Sequence, residues 1–257
     1  MQIRRAAVRA LPAALAAALL LSGCAAGDPA AAAARQTVTG PPVADLPPST
    51  PVPTATAPIA LRVAVRAYHE PLDHAHRNYC GAGATEVLLS AWMNTLPDIE
   101  TVARGILLDP NTGATGANTA AGINDFLRPV VSAKLGHDRY RGERLTALDA
   151  VLTRLRADLG SGDDMRRFGH TTPVMVQTMT KTMPGWRGWQ ATHMITIAAA
   201  SLATGNPDVD TVTYAETPSP VAGYNGPDFQ TIAVSALWAA MQAFIVDDPA
   251  DPINVIS

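Results

Sequence analysis

The sequence predicts an α+β domain, with an N-terminal helical part followed by an antiparallel β-sheet. Three observations carry this reading. From Cys80 onward, Ala84, Val87, Leu88, Ala91 and Trp92 recur at the spacing of a helix with one buried face. Further on, Ile195 and Ile197 alternate behind His193, and Val212, Tyr214 and Glu216 alternate in a second strand. The strong turn sequence Thr204-Gly205-Asn206-Pro207 lies between them. Finally, Leu145, Leu148, Val151, Leu152, Leu155 and Leu159 mark a firm helix stopped by Gly160-Ser161-Gly162, ahead of a buried strand at 173–177.

Taken in order, the chain opens with Arg4, Arg5 and Arg9, an apolar run over 11–21, and Leu21-Ser22-Gly23-Cys24. Basic start, short apolar core and small residues before a cysteine define an export signal. It resembles a bacterial lipoprotein signal peptide with a lipobox, which implies cleavage before Cys24 and lipidation of that residue. Residues 25–58 are alanine, proline and threonine with few large apolar side chains, a composition that cannot bury a core and reads as a disordered tether. Residues 59–257 remain as one domain. The net charge of −3 gives no electrostatic argument for a nucleic-acid partner.

Within that domain, alternation of Leu61, Val63, Val65 and Ala67 predicts a first strand, and 70–78 reads as a polar, histidine-rich loop. Pro97 ends an element after the Cys80 helix. Short helices are predicted over 98–108 and 120–127, with a turn-rich loop at 109–118 between them. Ser235 is placed as the cap of a closing helix whose buried face is Leu237, Ala240, Met241 and Phe244.

The chemistry concentrates at two places. The chain has two cysteines, and with Cys24 assigned to lipid, Cys80 has no disulfide partner in an exported protein. Cys80 begins a helix, where free N–H groups and the macrodipole favour a thiolate. Its stripe is expected to face the core that His193 also faces. The structural alternative is a small hydrophobic residue packed at a helix start. With the hairpin turn centred near Thr204-Gly205, residues whose numbers sum to about 409 lie opposite one another. Glu216 then faces His193, Tyr214 faces Ile195, and Val212 faces Ile197. A carboxylate there would fix the imidazole tautomer and stabilise its charged form.

Asn78-Tyr79-Cys80-Gly81 opening an apolar helix resembles the catalytic motif of bacterial peptidase C39-like domains, which are papain-like cysteine peptidases. His193-Met194 at the head of an apolar strand, Glu216-Thr217-Pro218 after the next strand, and the segment from Ser235 to Met241 are similar to that family's later motifs. The resemblance implies a papain-like fold, with Cys80 as nucleophile, His193 as general base and acid, and Glu216 orienting the histidine. Three positions depart from the family pattern. Ala82 replaces a proline, Glu216 replaces an aspartate, and His74 stands where an oxyanion-hole glutamine is expected. His74 and Asn78 are therefore the candidate oxyanion donors beside the Cys80 N–H.

His69, His74 and His76, with Glu70 and Asp73, offer zinc-type donors near Cys80, but their spacing matches no metal motif. No cofactor and no metal are expected. The chain thus reads as a lipid-anchored hydrolase facing outside the cytoplasm, cleaving a peptide amide or thioester in a peptide or protein substrate. The competing reading is a degenerate papain-like domain that binds a peptide or protein without cutting it.

Overall fold

The computed structural model describes residues 61–218, 224 and 226–257. The export signal, Cys24 and the tether at 25–58 lie outside the described residues. In chain order the elements are β1 (Leu61–Arg62), α1 (Cys80–Leu89), α2 (Ile99–Gly105), α3 (Gly116–Leu127), a π-helical segment (Arg128–Ser132) and α4 (Ala133–Leu135). These are followed by β2 (Gly142–Glu143), α5 (Leu148–Leu159), α6 (Gly162–Phe168), β3 (Val174–Met179), β4 (Thr192–Ser201), β5 (Thr211–Ala215), β6 (Phe229–Ala233), α7 (Val234–Asp247) and β7 (Val255–Ile256). The fold is mixed α+β, built on an open antiparallel sheet in the order β2-β7-β3-β4-β5-β6, with β1 paired to the far end of β4.

Helices cover both faces. Met175, Met194 and Ile256 pack against Ala82, Ala84, Leu88 and Leu89 of α1 and, beyond them, Ile123 and Leu127 of α3. Val174, Val176, Ile195, Ile197 and Tyr214 pack with Leu155 and Leu159 of α5 and with Leu237, Ala240 and Met241 of α7. Side-chain alternation along β4 therefore puts Met194 in one core and Ile195 in the other. The expectation that α1 and His193 face a common core is corrected here, since α1 lies on the Met194 side.

Helix α1 is also more deeply buried than its stripe suggested. Every residue after Cys80, from Gly81 to Leu89, is inaccessible to solvent. Its first turns are glycine, alanine and threonine, so the helix is thin enough to lie between the sheet and α2 and α3. The Thr196 hydroxyl donates to the Ala84 carbonyl at 2.7 Å, tying β4 directly to it.

Several expected boundaries move, each for a local reason. The first strand is two residues long because the chain leaves the sheet after the Val63 N–H bonds the Ala198 carbonyl. The Arg66 N–H then goes to the Ser90 hydroxyl beyond the end of α1. That helix stops at Leu89, well before Pro97. Ser235 lies inside α7 and does not cap it. The Val234 and Ser235 N–H groups are instead satisfied by the Asp210 and Pro207 carbonyls, so the hairpin loop caps the helix with its backbone. Helix α6 and the strands β2, β6 and β7 were not read from the sequence, being short or lacking a clean period.

The β4–β5 register also differs. Tyr214 lies opposite Ile197 and Val212 opposite Ala200, with a bulge between Ile197 and Ala199. The connecting loop is longer than a tight turn. The Asp210 carboxylate accepts from the Thr204 and Gly205 N–H groups at 2.9 and 3.0 Å, which moves the turn centre towards Asn206. At the end of the hairpin that carries His193 and Glu216 the shift is two residues, so side chains there keep their faces, and the bulge takes up the third residue by which Val212 is displaced. Glu216 becomes the diagonal neighbour of His193 instead of its direct partner, a gap that a long side chain can bridge.

Of the two glycines in α1, Gly83 leaves less room for a side chain. A Cβ there would meet the Thr217 Cβ at 2.9 Å, the Thr217 Oγ1 at 3.0 Å and the Glu70 Oε1 at 3.2 Å. Alanine gains about 1 kcal/mol over glycine in a helix, but overpacking costs about 1–3 kcal/mol. Gly83→Ala is therefore expected to lower stability by about 1 kcal/mol, read as a reduced urea midpoint at unchanged slope. An unchanged or raised midpoint would contradict this packing.

Candidate active site

The site forms where the first residue of a buried helix meets the first residues of a buried strand. Cys80 is partly exposed while the rest of α1 is not, so the thiol is where that helix reaches solvent. Tyr79 precedes it without a side-chain cap, and the first backbone bond of the helix runs from the Gly83 N–H to the Tyr79 carbonyl. The N–H groups of Cys80, Gly81 and Ala82 consequently lack intrahelical partners and define a positive helix end.

His193 is 3 % exposed and Glu216 is fully buried. The imidazole Nε2 lies 3.0 Å from Glu216 Oε2. The other carboxylate oxygen, Oε1, accepts from the Trp186 indole N–H at 3.2 Å, and the Trp186 ring packs on the imidazole with centroids 4.9 Å apart. Burial alone would push the His193 pKa down. The Glu216 charge, helped by Cys80 in the same cleft, outweighs it and pushes the value up to about 10. With Nε2 engaged by Glu216, Nδ1 is the nitrogen available to the thiol. Tyr214, buried beside the same carboxylate, has its phenol pushed upward, first by burial and then by that charge.

The three residues expected to carry the chemistry thus come together, although the hairpin register is not the expected one. The two candidate oxyanion donors fare differently. Both amide hydrogens of Asn78 are spent on the Pro110 and Asn111 carbonyls, each at 2.8 Å. Asn78 therefore clamps the 109–113 turn against the cleft and has no hydrogen left for an oxyanion. His74 does line the cleft beside Cys80, exposed, with its Nε2 taking a hydrogen bond from Arg77. In the neutral ring this leaves the Nδ1 hydrogen as a donor.

The histidine loop is dispersed. His69 pairs with Asp228 at 2.8 Å, and His76 bridges Asp73 and Glu100 at 2.6 and 2.7 Å. Among the described residues, no group of three or more histidine, cysteine or acidic side chains is arranged to hold a metal ion.

The cleft is about 470 Å³ and is lined also by Glu70 and Pro218, and by two residues that no sequence motif marks for the site, Trp186 and Trp189. One signal was available. Gly185-Trp186-Arg187-Gly188-Trp189 puts two of the four tryptophans of the chain within four residues, in a sequence only 5% aromatic. Arg187 and the two glycines take positive φ angles, so the loop folds Trp186 inward over His193 while Trp189 stays 57 % exposed at the cleft.

No protein-family model matches the sequence, and no curated protein matches it significantly. The site therefore rests on its own geometry.

A group whose pKa rises on folding stabilises the protein fully below its unfolded value, and loses that contribution as pH rises through the folded value. For His193 the window runs from 6.5 to about 10. Glu216→Gln removes the charge but leaves the burial, so the variant should lack this loss. The expected result is that wild-type stability falls more steeply than that of Glu216→Gln between pH 7 and pH 10, measured by denaturant titration at each pH. Parallel profiles would contradict a buried imidazolium.

Proposed function

We propose that this chain is a papain-like cysteine hydrolase, similar to peptidase C39-like domains, that cleaves a peptide amide or a thioester. The observation that carries the proposal is the buried contact between His193 and Glu216, in the same cleft as the Cys80 thiol at a helix N-terminus. In the proposed reaction, Cys80 as the thiolate, paired with the His193 imidazolium, attacks the substrate carbonyl carbon, and the charge on the carbonyl oxygen is met by the Cys80 N–H at the positive end of α1. The proton held on His193 goes to the leaving nitrogen or sulfur as the carbonyl carbon–leaving-group bond breaks. Neutral His193 then takes a proton from water as its oxygen attacks the acyl-enzyme, and cleavage of the carbon–sulfur bond releases the carboxylic acid and restores the thiolate and the imidazolium. Throughout, Glu216 keeps the ring oriented, and Trp186 keeps Glu216 in place.

Export and anchoring belong to the same proposal. Leu21-Ser22-Gly23-Cys24 closing the apolar run supports a lipid at Cys24, holding the domain outside the cytoplasm on a proline-rich tether. Among the described residues, no helix is long and apolar enough to cross a membrane. The substrate would be a peptide or protein, without a cofactor and without nucleic acid.

One observation favours the second reading, a papain-like module that binds a peptide without cutting it. Asn78 has no free N–H for an oxyanion, and the expected glutamine is absent. Loss of one oxyanion donor costs about a hundredfold or more in rate.

The two readings separate in a labelling experiment on the mature domain with an iodoacetamide-type probe. The hydrolase reading expects Cys80 to be alkylated well below neutrality, at a rate at least about tenfold lower in His193→Ala, with no labelling in Cys80→Ser. A rate that rises only near the ordinary thiol pKa of about 8.5, and that is indifferent to His193→Ala, would favour the binding module.

A further inference from the structure

Glu70 is a buried carboxyl in the cleft that the proposed chemistry does not use. It is 5 % exposed and lines the cleft together with Cys80 and His193. Its Oε1 accepts from the Thr217 hydroxyl at 2.9 Å, and its N–H bonds the Thr217 carbonyl, also at 2.9 Å. Those bonds fix the side chain against α1 beside Gly83.

Holding Thr217 does not by itself need a carboxylate, because a neutral amide oxygen would accept the same bond. Among the described residues, Glu70 has no ion pair. The largest compensating charge acting on it is that of His193, and that charge is already matched by Glu216. A buried acid in this position is costly for the fold, and the cost shows in its titration. Burial pushes its pKa up to about 7, with Glu216 adding to the rise and His193, the Thr217 bond and the more distant His76 opposing it. The Tyr68 phenol is coupled to it as well. Arg77, also in the cleft lining, is exposed and donates to His74, so solvent screens its charge far more than it screens Glu70. Among the described residues lining the cleft, the charge that is both buried and unmatched is negative.

We propose that the cleft selects substrates carrying a cationic nitrogen, an ammonium or guanidinium, beside the bond to be cut, with Glu70 as the specificity-determining residue. This rests on the hydrolase reading of the same cleft. A cation entering beside Glu70 would draw its pKa back down and supply the ion pair that Glu70 does not make with the described residues.

The test uses three small thiol reagents on the mature domain, a cationic and an anionic one of similar size, 2-(trimethylammonio)ethyl and 2-sulfonatoethyl methanethiosulfonate, and the smaller neutral methyl methanethiosulfonate. Each transfers its alkylthio group to the Cys80 thiolate and releases methanesulfinate, so the ratio of cationic to anionic rates cancels the thiolate fraction and reads the local charge. At pH 8 the wild-type ratio, each rate normalised to the neutral reagent, is expected to exceed that of Glu70→Gln by about tenfold. In the wild type it should shrink as pH falls below about 7. An equal ratio in Glu70→Gln, or a wild-type ratio insensitive to pH from 8 to 6, would overturn the inference while leaving Cys80 a reactive nucleophile. Failure of the folded thiol to react with any of the three would overturn the hydrolase reading, and the inference with it.

Discussion

The arrangement depends on one buried contact, that between His193 and Glu216. Neither side chain has water to solvate a charge, and removing one partner of such a pair costs about 3–5 kcal/mol because the other is left unmatched. Burial and attraction therefore compete at His193, and attraction wins. Trp186 contributes to that outcome twice, by donating to the second carboxylate oxygen and by covering the ring. The strained turn that carries Trp186 inward thus belongs to the same construction as the pair.

A second constraint places the thiol within reach of that pair. Cys80 can stand at the cleft only because α1 is driven through the interior behind it, and α1 fits there only because its first turns are small. Gly81 lies against Ala114 and Met194, and Gly83 against Thr217 and Glu70. Thr217 follows Glu216 directly, so the segment that supplies the carboxylate is also the one packed on the nucleophile's helix. Asn78 completes the frame by bonding the 109–113 turn that walls the cleft.

How much of this could be read from the sequence depended on the range of the interaction. Local periodicity located α1, α3, α5, β3, β4, β5 and α7, and Cys80, His193 and Glu216 were all legible as chemistry. Their meeting was inferred from a hairpin register two residues out. It survived because a two-residue slip preserves the side-chain faces, where a slip of one would have reversed them. What was missed is held by long-range bonds that no local pattern encodes. Glu70 reads as part of a polar loop until Thr217 is seen beside it, 147 positions away. Asn78 reads as an oxyanion candidate until its two hydrogens are found on Pro110 and Asn111. The short strand β7 gains its place only by pairing with β3 and β2.

A buried Glu216 holds His193 as an imidazolium in the cleft with Cys80, and the ring nitrogens report that state directly. In a 15N NMR titration of the folded mature domain, both His193 nitrogens should carry protons throughout the neutral range, and the ring should lose its charge only as pH approaches about 10. A His193 ring that titrates near its ordinary value of 6.5, or that is already neutral there, would contradict the account.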